Sequence, residues 1–295
     1  MQITTYIVLL VLAIWTATTQ AEIYKYKDKN GKWQYTDKKP KDIEPDVVDY
    51  KSQEKQKVEP VFDILATNGQ NKLLVTNPFF APLELVIKSP QFKNGRKKVV
   101  LAPRAKLGLL KTTDAIAKFD YWWYLGDPKA TPDQQLYHWP VDAGACPRIT
   151  QGFNGQFSHT KESSQYAVDI ALSVGTPIVA ARKGIVVRVK DDYHMGGVND
   201  FFLDKGNYVS ILHEDGTFAL YAHILLGTAA VKAGDKVDVG AVLAKSGSSG
   251  FSSGPHLHFV VYRNKGFAQA SIPFQFIGKS GKSFTPEAGT RLCSG

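Results

Sequence analysis

Apolar and polar residues alternate in short runs along most of this chain, with turn residues between the runs and no sustained helical period. Residues 22–42, beginning EIYKYKDKNGKWQYTDKKP, place Ile23, Tyr24 and Tyr26 on one side of Asn30-Gly31 and Trp33 and Tyr35 on the other, which predicts a β-hairpin module. Residues 43–60 are charged and flanked by proline, and read as a linker. From 61 to 135, the runs LLVTN, LELVIK, KKVVLAP and AKFDYWWYLGD recur at short intervals between turn signals, predicting a small β-sandwich of immunoglobulin type. Residues 136–288 are again strand-rich, with GTPIVAARKGIVVRVK, GNYVSILHE, TFALYAHI and HLHFVVYR as strand candidates, and 289–295 form a tail. No heptad, Walker loop or dinucleotide fingerprint interrupts this pattern, so the expected class is mainly β.

The first apolar run is of another kind. Tyr6 to Trp15 is too short for a bilayer, which needs about 20 apolar residues, and it ends in small residues at Thr19-Gln20-Ala21. This is the pattern of a signal peptide over 1–21, cleaved after Ala21, although no Lys or Arg precedes the run. No Cys follows the cleavage point, which argues against a lipoprotein. A secreted or periplasmic location follows, with no stable membrane span once the leader is removed. In such an oxidising compartment Cys146 and Cys293 can pair.

Composition narrows the chemistry. The chain has 295 residues, enough for several domains. It carries 36 Lys and Arg against 27 Asp and Glu, a net charge of +9 that suits an anionic partner such as a nucleic acid, an acidic membrane surface or a cell wall. The basic cluster Lys93 to Lys98 is expected at a solvated hairpin tip, with a wall- or lipid-binding patch as the alternative. Two Cys and two Met exclude a thiolate zinc finger, an iron–sulfur protein and a disulfide-dense scaffold, leaving seven His as the main nitrogen donors for any metal.

His256-Leu257-His258 puts two imidazoles on one face of a strand, because residues two apart point the same way. The loop GSSGFSSGP before it can bring backbone close to a ligand. Tyr221-Ala222-His223 ends another strand with a third imidazole, and Asp169 is a carboxylate inside the apolar run YAVDIA. A buried carboxylate needs a cation or dense hydrogen bonding. Two His, one carboxylate and an open position make a common hydrolytic zinc site.

Asp169-Ile170, Gly175-Thr176-Pro177, Ala180, Gly184, Tyr221-Ala222-His223 and GSSGFSSGPHLHF occur in the order found in the lysostaphin/LytM-type zinc endopeptidases, which this part of the chain resembles. The N-terminal hairpin likewise resembles a small module of unknown function that opens many proteobacterial envelope proteins. The peptidase resemblance implies a β-rich, barrel-like domain with a groove, one zinc ion, and hydrolysis of a stem-peptide or cross-link bond in peptidoglycan. Neither nucleic acid nor membrane is then an expected partner. It implies that Asp169 and His258 are zinc ligands and that His223 and His256 are the catalytic pair, one of them the base. The family's first motif, H-x-G-x-D, is broken here: Gln165 stands where the His belongs and Ala167 where the Gly belongs. In similar proteins an S-H, a short polar loop and Y-A-x-D supply the His from a displaced position, which points to His159 as the first ligand. A surface-loop histidine is the alternative for His159, and a wall-binding relative that has lost its metal is the alternative for the domain. A lipoyl-like carrier, suggested by VKAGDKVDVGAVLA, lacks the required Lys at a hairpin tip. Asn207 and His194 are expected substrate contacts on loops near the groove, His138 is expected to be structural, and His213 is expected to be exposed beside a turn.

Overall fold

A computed structural model describes residues 23–27, 33–36, 42–48, 58–133, 135–141, 146–278 and 281–291. The expected leader, the Asn30-Gly31 turn and Cys293, partner of the expected Cys146 bridge, lie outside the described residues. Among the described residues the fold is mainly β, and the helical elements are short 3-10 turns. Among the described residues no helix is long and apolar enough to cross a membrane.

Ile23–Lys27 pairs antiparallel with Trp33–Thr36, setting Tyr24 opposite Thr36 and Tyr26 opposite Gln34. On its other edge it pairs with Asp46–Val48, a short strand inside the stretch expected to be a linker. Its two β-branched valines suit an extended backbone.

The next six strands make two three-stranded antiparallel sheets. Gln70–Thr76 lies between Val61–Thr67 and Lys106–Thr112, and Leu83–Lys88 lies between Arg96–Leu101 and Asp120–Leu125. Alternate residues Leu73 and Val75 of one sheet meet Leu83, Leu85 and Ile87 of the other in a buried cluster. The basic cluster begins at the turn joining two of these strands, but Lys97 donates to the Leu109 carbonyl at 2.7 Å and Lys98 pairs with Glu84 at 2.7 Å.

The C-terminal region is built on an eight-stranded antiparallel sheet. Its order is Ile149–Gln151, Ala167–Ala171, His256–Asn264, Phe218–Ala222, Tyr208–Leu212, Gly184–Lys190 and Lys236–Val237, with Gln269–Ser271 paired to the far end of the longest strand. Among the described residues its outermost strands do not join, so the barrel-like domain expected from the sequence is an open sheet. Pro177–Val179 and Val242–Lys245 form a separate ladder. Their Ile178, Leu243 and Ala244 pack with Val168, Ile170, Tyr221, Leu257, Phe259 and Val261 in the main core.

Period-two alternation gives the sheet's other face two uses. Along His256–Asn264, the odd positions Leu257, Phe259 and Val261 enter the core, and the even positions face away from it. Near its start, His256 and His258 line a groove. Further along, Tyr262 stacks on Phe218 at 5.1 Å, and both pack with Val187 and Leu212 against the sandwich cluster. About 13 Å of strand separates His258 from Tyr262. The seam is closed by buried Glu84, which pairs with Lys98, accepts from Asn264 Nδ2 at 2.8 Å and from the Phe267 backbone at 2.9 Å. Burial would raise this carboxyl, but those partners outweigh it and hold it below its usual range.

His213 corrects an expectation. It is buried rather than exposed, with Nδ1 2.8 Å from the Lys183 carbonyl and its ring edge-on to Tyr137. Burial pushes its pKa down to about 4. The unfolded chain therefore takes up the proton first as pH falls from 6.5 toward 4, and this part of the stability, complete above that window, is lost within it. Chemical unfolding at pH 7 and pH 4.5 should show the parent losing about 2–3 kcal/mol more than His213→Gln, which has no proton to gain. Equal losses in the two proteins would contradict this.

Candidate metal centre

The sheet's register assembles the site. Asp169 lies directly opposite His258 on one side and Gln151 on the other, while His258 also pairs with Ala222, the residue before His223. Three strands thus bring a carboxylate and imidazoles onto one row. Two residues earlier on its strand, His256 follows on the same face.

Asp169 is buried and its Oδ1 is ringed by nitrogen. His258 Nδ1 lies at 2.9 Å, His159 Nε2 at 3.3 Å and His256 Nε2 at 3.7 Å. Burial would raise the Asp169 carboxyl, but the His159 and His258 contacts outweigh it and hold it well below the carboxylate range, so it is an anion. His159, Asp169 and His258 each offer a ligand atom, and these atoms lie within 4.8 Å of one another.

His159 reaches this point from a run of turns between Ile149–Gln151 and Ala167–Ala171. Its ring is fully buried. A carbonyl can only accept, so Nδ1 is the donor in the 3.0 Å contact with Gly152 O, and the ring turns Nε2 toward Asp169. That buried Nε2 has no hydrogen-bond partner among the described atoms. Gln165, where the motif expects a His, does not line the groove; its backbone N–H donates to Lys161 O and its carbonyl accepts from Asn154 N.

His223 and His256 form a second pair with ring centroids 4.6 Å apart. His223 Nδ1 lies 2.6 Å from Ser249 O, and His256 Nδ1 lies 2.8 Å from Gly254 O. Both rings therefore carry their proton on Nδ1 and present a bare Nε2. Burial, reinforced by the neighbouring His256 and His258, pushes His223 down to about 3, and burial lowers His256 as well. His223 is also held at φ +63°, a left-handed conformation that costs a β-carbon residue free energy.

The glycine- and serine-rich loop supplies these carbonyls and depends on its glycines. A side chain on Gly250, at φ +80°, would meet the Gly206 backbone at 2.4 Å, so the loop passes flush against its neighbour. The groove, of about 830 Å³, has Asp169, Ala171, Leu220, Ala222 and the three imidazoles His223, His256 and His258 along it. Phe157, Phe251, Leu203, Lys161, Asp200 and Asp204 also contribute to its lining.

Two expected substrate contacts sit elsewhere. Asn207 is buried, accepts from Tyr193 N at 3.0 Å, and donates to Tyr193 O at 2.6 Å, so its amide ties a loop rather than facing the groove. His194 is half-buried beside Tyr193 and is not part of the lining. His138 is exposed. Gln151, which no local sequence signal marks, is the residue that sequence reading missed; only strand register places it against Asp169.

Residues 163–270 match the model of peptidase family M23. This part of the chain is similar to the M23 peptidases. Residues 8–61 match the domain of unknown function DUF4124. An uncharacterized metalloprotease of Buchnera aphidicola is 35% identical over 121 residues, 40% of this chain and 29% of its own. Lysostaphin of Staphylococcus simulans is 32% identical over 131 residues, 42% of this chain and 24% of its own. Peptidoglycan DD-endopeptidase ShyA of Vibrio cholerae is 32% identical over 124 residues, 41% of this chain and 26% of its own. The chain thus spans about a quarter of the length of each relative, or slightly more. His159 lies just before the M23 match begins, so its place at the site rests on geometry alone.

Because His223 is neutral with its proton on Nδ1, nitrogen-15 NMR of the folded protein should show that tautomer unchanged from pH 7 down to pH 5. An imidazolium signal for His223 above pH 5 would contradict the burial argument.

Proposed function

We propose that the chain is a zinc endopeptidase acting outside the cytoplasmic membrane, where it hydrolyses a peptide bond of peptidoglycan. The observation that carries this is the convergence of His159 Nε2, Asp169 Oδ1 and His258 Nδ1 within one small space, beside two neutral imidazoles in a groove. Two imidazole nitrogens and a carboxylate fit zinc, and the unpartnered buried Nε2 of His159 fits a ligand atom better than a packing residue. When bound, zinc supplies Lewis acidity, polarising a carbonyl and making water acidic near neutral pH.

The chain's own residues do the rest. Asp169, already ionised, contributes charge without first losing a proton. A bare Nε2 on His223 or His256 can accept a proton from the attacking water and return it to the departing amine. Neighbouring rings 4.6 Å apart disfavour double protonation, so the pair carries one proton at a time. The protonated ring then faces the oxygen on which negative charge develops and stabilises it. The backbone carbonyls of Ser249 and Gly254 fix both rings in this orientation. Small Ala171 and Ala222 in the lining leave room for an extended peptide, and Lys161, Asp200 and Asp204 offer both signs of charge to its ends. The relatives named as lysostaphin and as a peptidoglycan DD-endopeptidase support peptidoglycan as the substrate.

Incubation of the zinc-loaded protein with purified sacculi should release fragments carrying new peptide amine and carboxyl ends while the glycan strands stay intact. His256→Ala and His223→Ala should each lower the rate by roughly 10²–10³. Cleavage of glycan, or no new peptide ends from zinc-loaded protein, would contradict the proposal.

A further inference from the structure

Gln151 uses its whole amide at the edge of the site. Its Nε2 donates to Asp169 Oδ2 at 2.8 Å and to Ser158 Oγ at 2.9 Å. Its Oε1 accepts from the backbone N–H of Phe157 at 3.1 Å and of Ser158 at 3.4 Å. An amide has two donor hydrogens and two acceptor lone pairs, so one side chain joins the buried carboxylate to the two residues that lead into His159, with nothing left over.

Space for that side chain is reserved in the backbone. A Cβ on Gly155 would sit 2.1 Å from Gln151 Cγ and 2.6 Å from its Cδ. The backbone of Gly155 is not left-handed, so the glycine is there for room and not for conformation.

Both ends of this link bear on the metal. With Oδ2 committed to Gln151, Asp169 turns Oδ1 alone toward His258, His159 and His256. With Phe157 and Ser158 held, His159 enters the site from a fixed point, and its ring is locked by Gly152 O. The usual motif places its His in the same short segment as the carboxylate; here the His comes from ten residues upstream, and a separate tie is needed to bring the two together.

We propose that Gln151 is a positioning residue that makes the displaced His159 a metal ligand, orienting Asp169 and the Phe157-Ser158 backbone at once. The inference rests on the zinc reading above. Groups that support metal ligands in this way are worth about 10–100-fold in affinity.

Two variants test it in the full chain. Gln151→Met keeps the length of the side chain and removes all four hydrogen bonds; Gly155→Ala keeps Gln151 and displaces it. Zinc affinity is measured by competition with a chromogenic chelator, the visible spectrum is recorded with cobalt in place of zinc, and thermal unfolding of the metal-free proteins is followed alongside. Both variants should bind zinc 10–100-fold more weakly than the parent and show an altered cobalt spectrum. Zinc affinity within twofold of the parent, with the parental cobalt spectrum, would overturn the proposal even if unfolding temperatures fell, because the role would then be structural only. A parent that holds no zinc would overturn the zinc reading itself, and this inference with it.

Discussion

The site depends on one carboxylate held where carboxylates are costly. Asp169 sits in a buried strand between Val168 and Ile170, both in the core, and stays ionised because His258 and Gln151 hydrogen-bond to it and the His159 ring lies beside it. His258 comes across one ladder, Gln151 across the other, and His159 from the turn above. Remove the charge and the imidazoles have no anion to gather around; remove the donors and the charge cannot remain. A cation placed among these groups satisfies the same constraint more fully than hydrogen bonds do, which is the physical link between this fold and a metal.

The sheet then decides what else the charge can meet. A single nine-residue strand, His256–Asn264, serves three surfaces through its period of two: the core by Leu257, Phe259 and Val261, the groove by His256 and His258, the sandwich by Tyr262 and Asn264. The upstream sandwich therefore covers the same face that carries the groove. Phe218 and Val187 would lose their cover without it, so it is part of how the sheet is kept buried.

Much of this was legible in the residues. A carboxylate inside YAVDIA and an H-x-H leading into a buried run each announce a cost that needs a ligand, and strand periodicity alone puts His256 and His258 together. The mainly β class and the apolar core strands follow from the same alternation. What failed to read out depends on long-range register or on loop paths. Gln151 is ordinary in T-Q-G-F until the ladder sets it against Asp169. His213 follows a strand and precedes a Glu-Asp-Gly turn, the local signature of exposure, yet tertiary packing against Tyr137 buries it. Asn207 sits between the groove-lining Gly206 and Tyr208, but its amide is occupied by Tyr193.

His159, and not the residue in the usual position, is proposed to complete a metal site with Asp169 and His258. The direct measurement is the zinc content of the purified protein beside a His159→Ala variant and a Gln165→Ala variant, each offered zinc at neutral pH. About one tightly held zinc is expected in the parent and in Gln165→Ala, and almost none in His159→Ala. Zinc retained in full by His159→Ala, or absent from the parent, would contradict it.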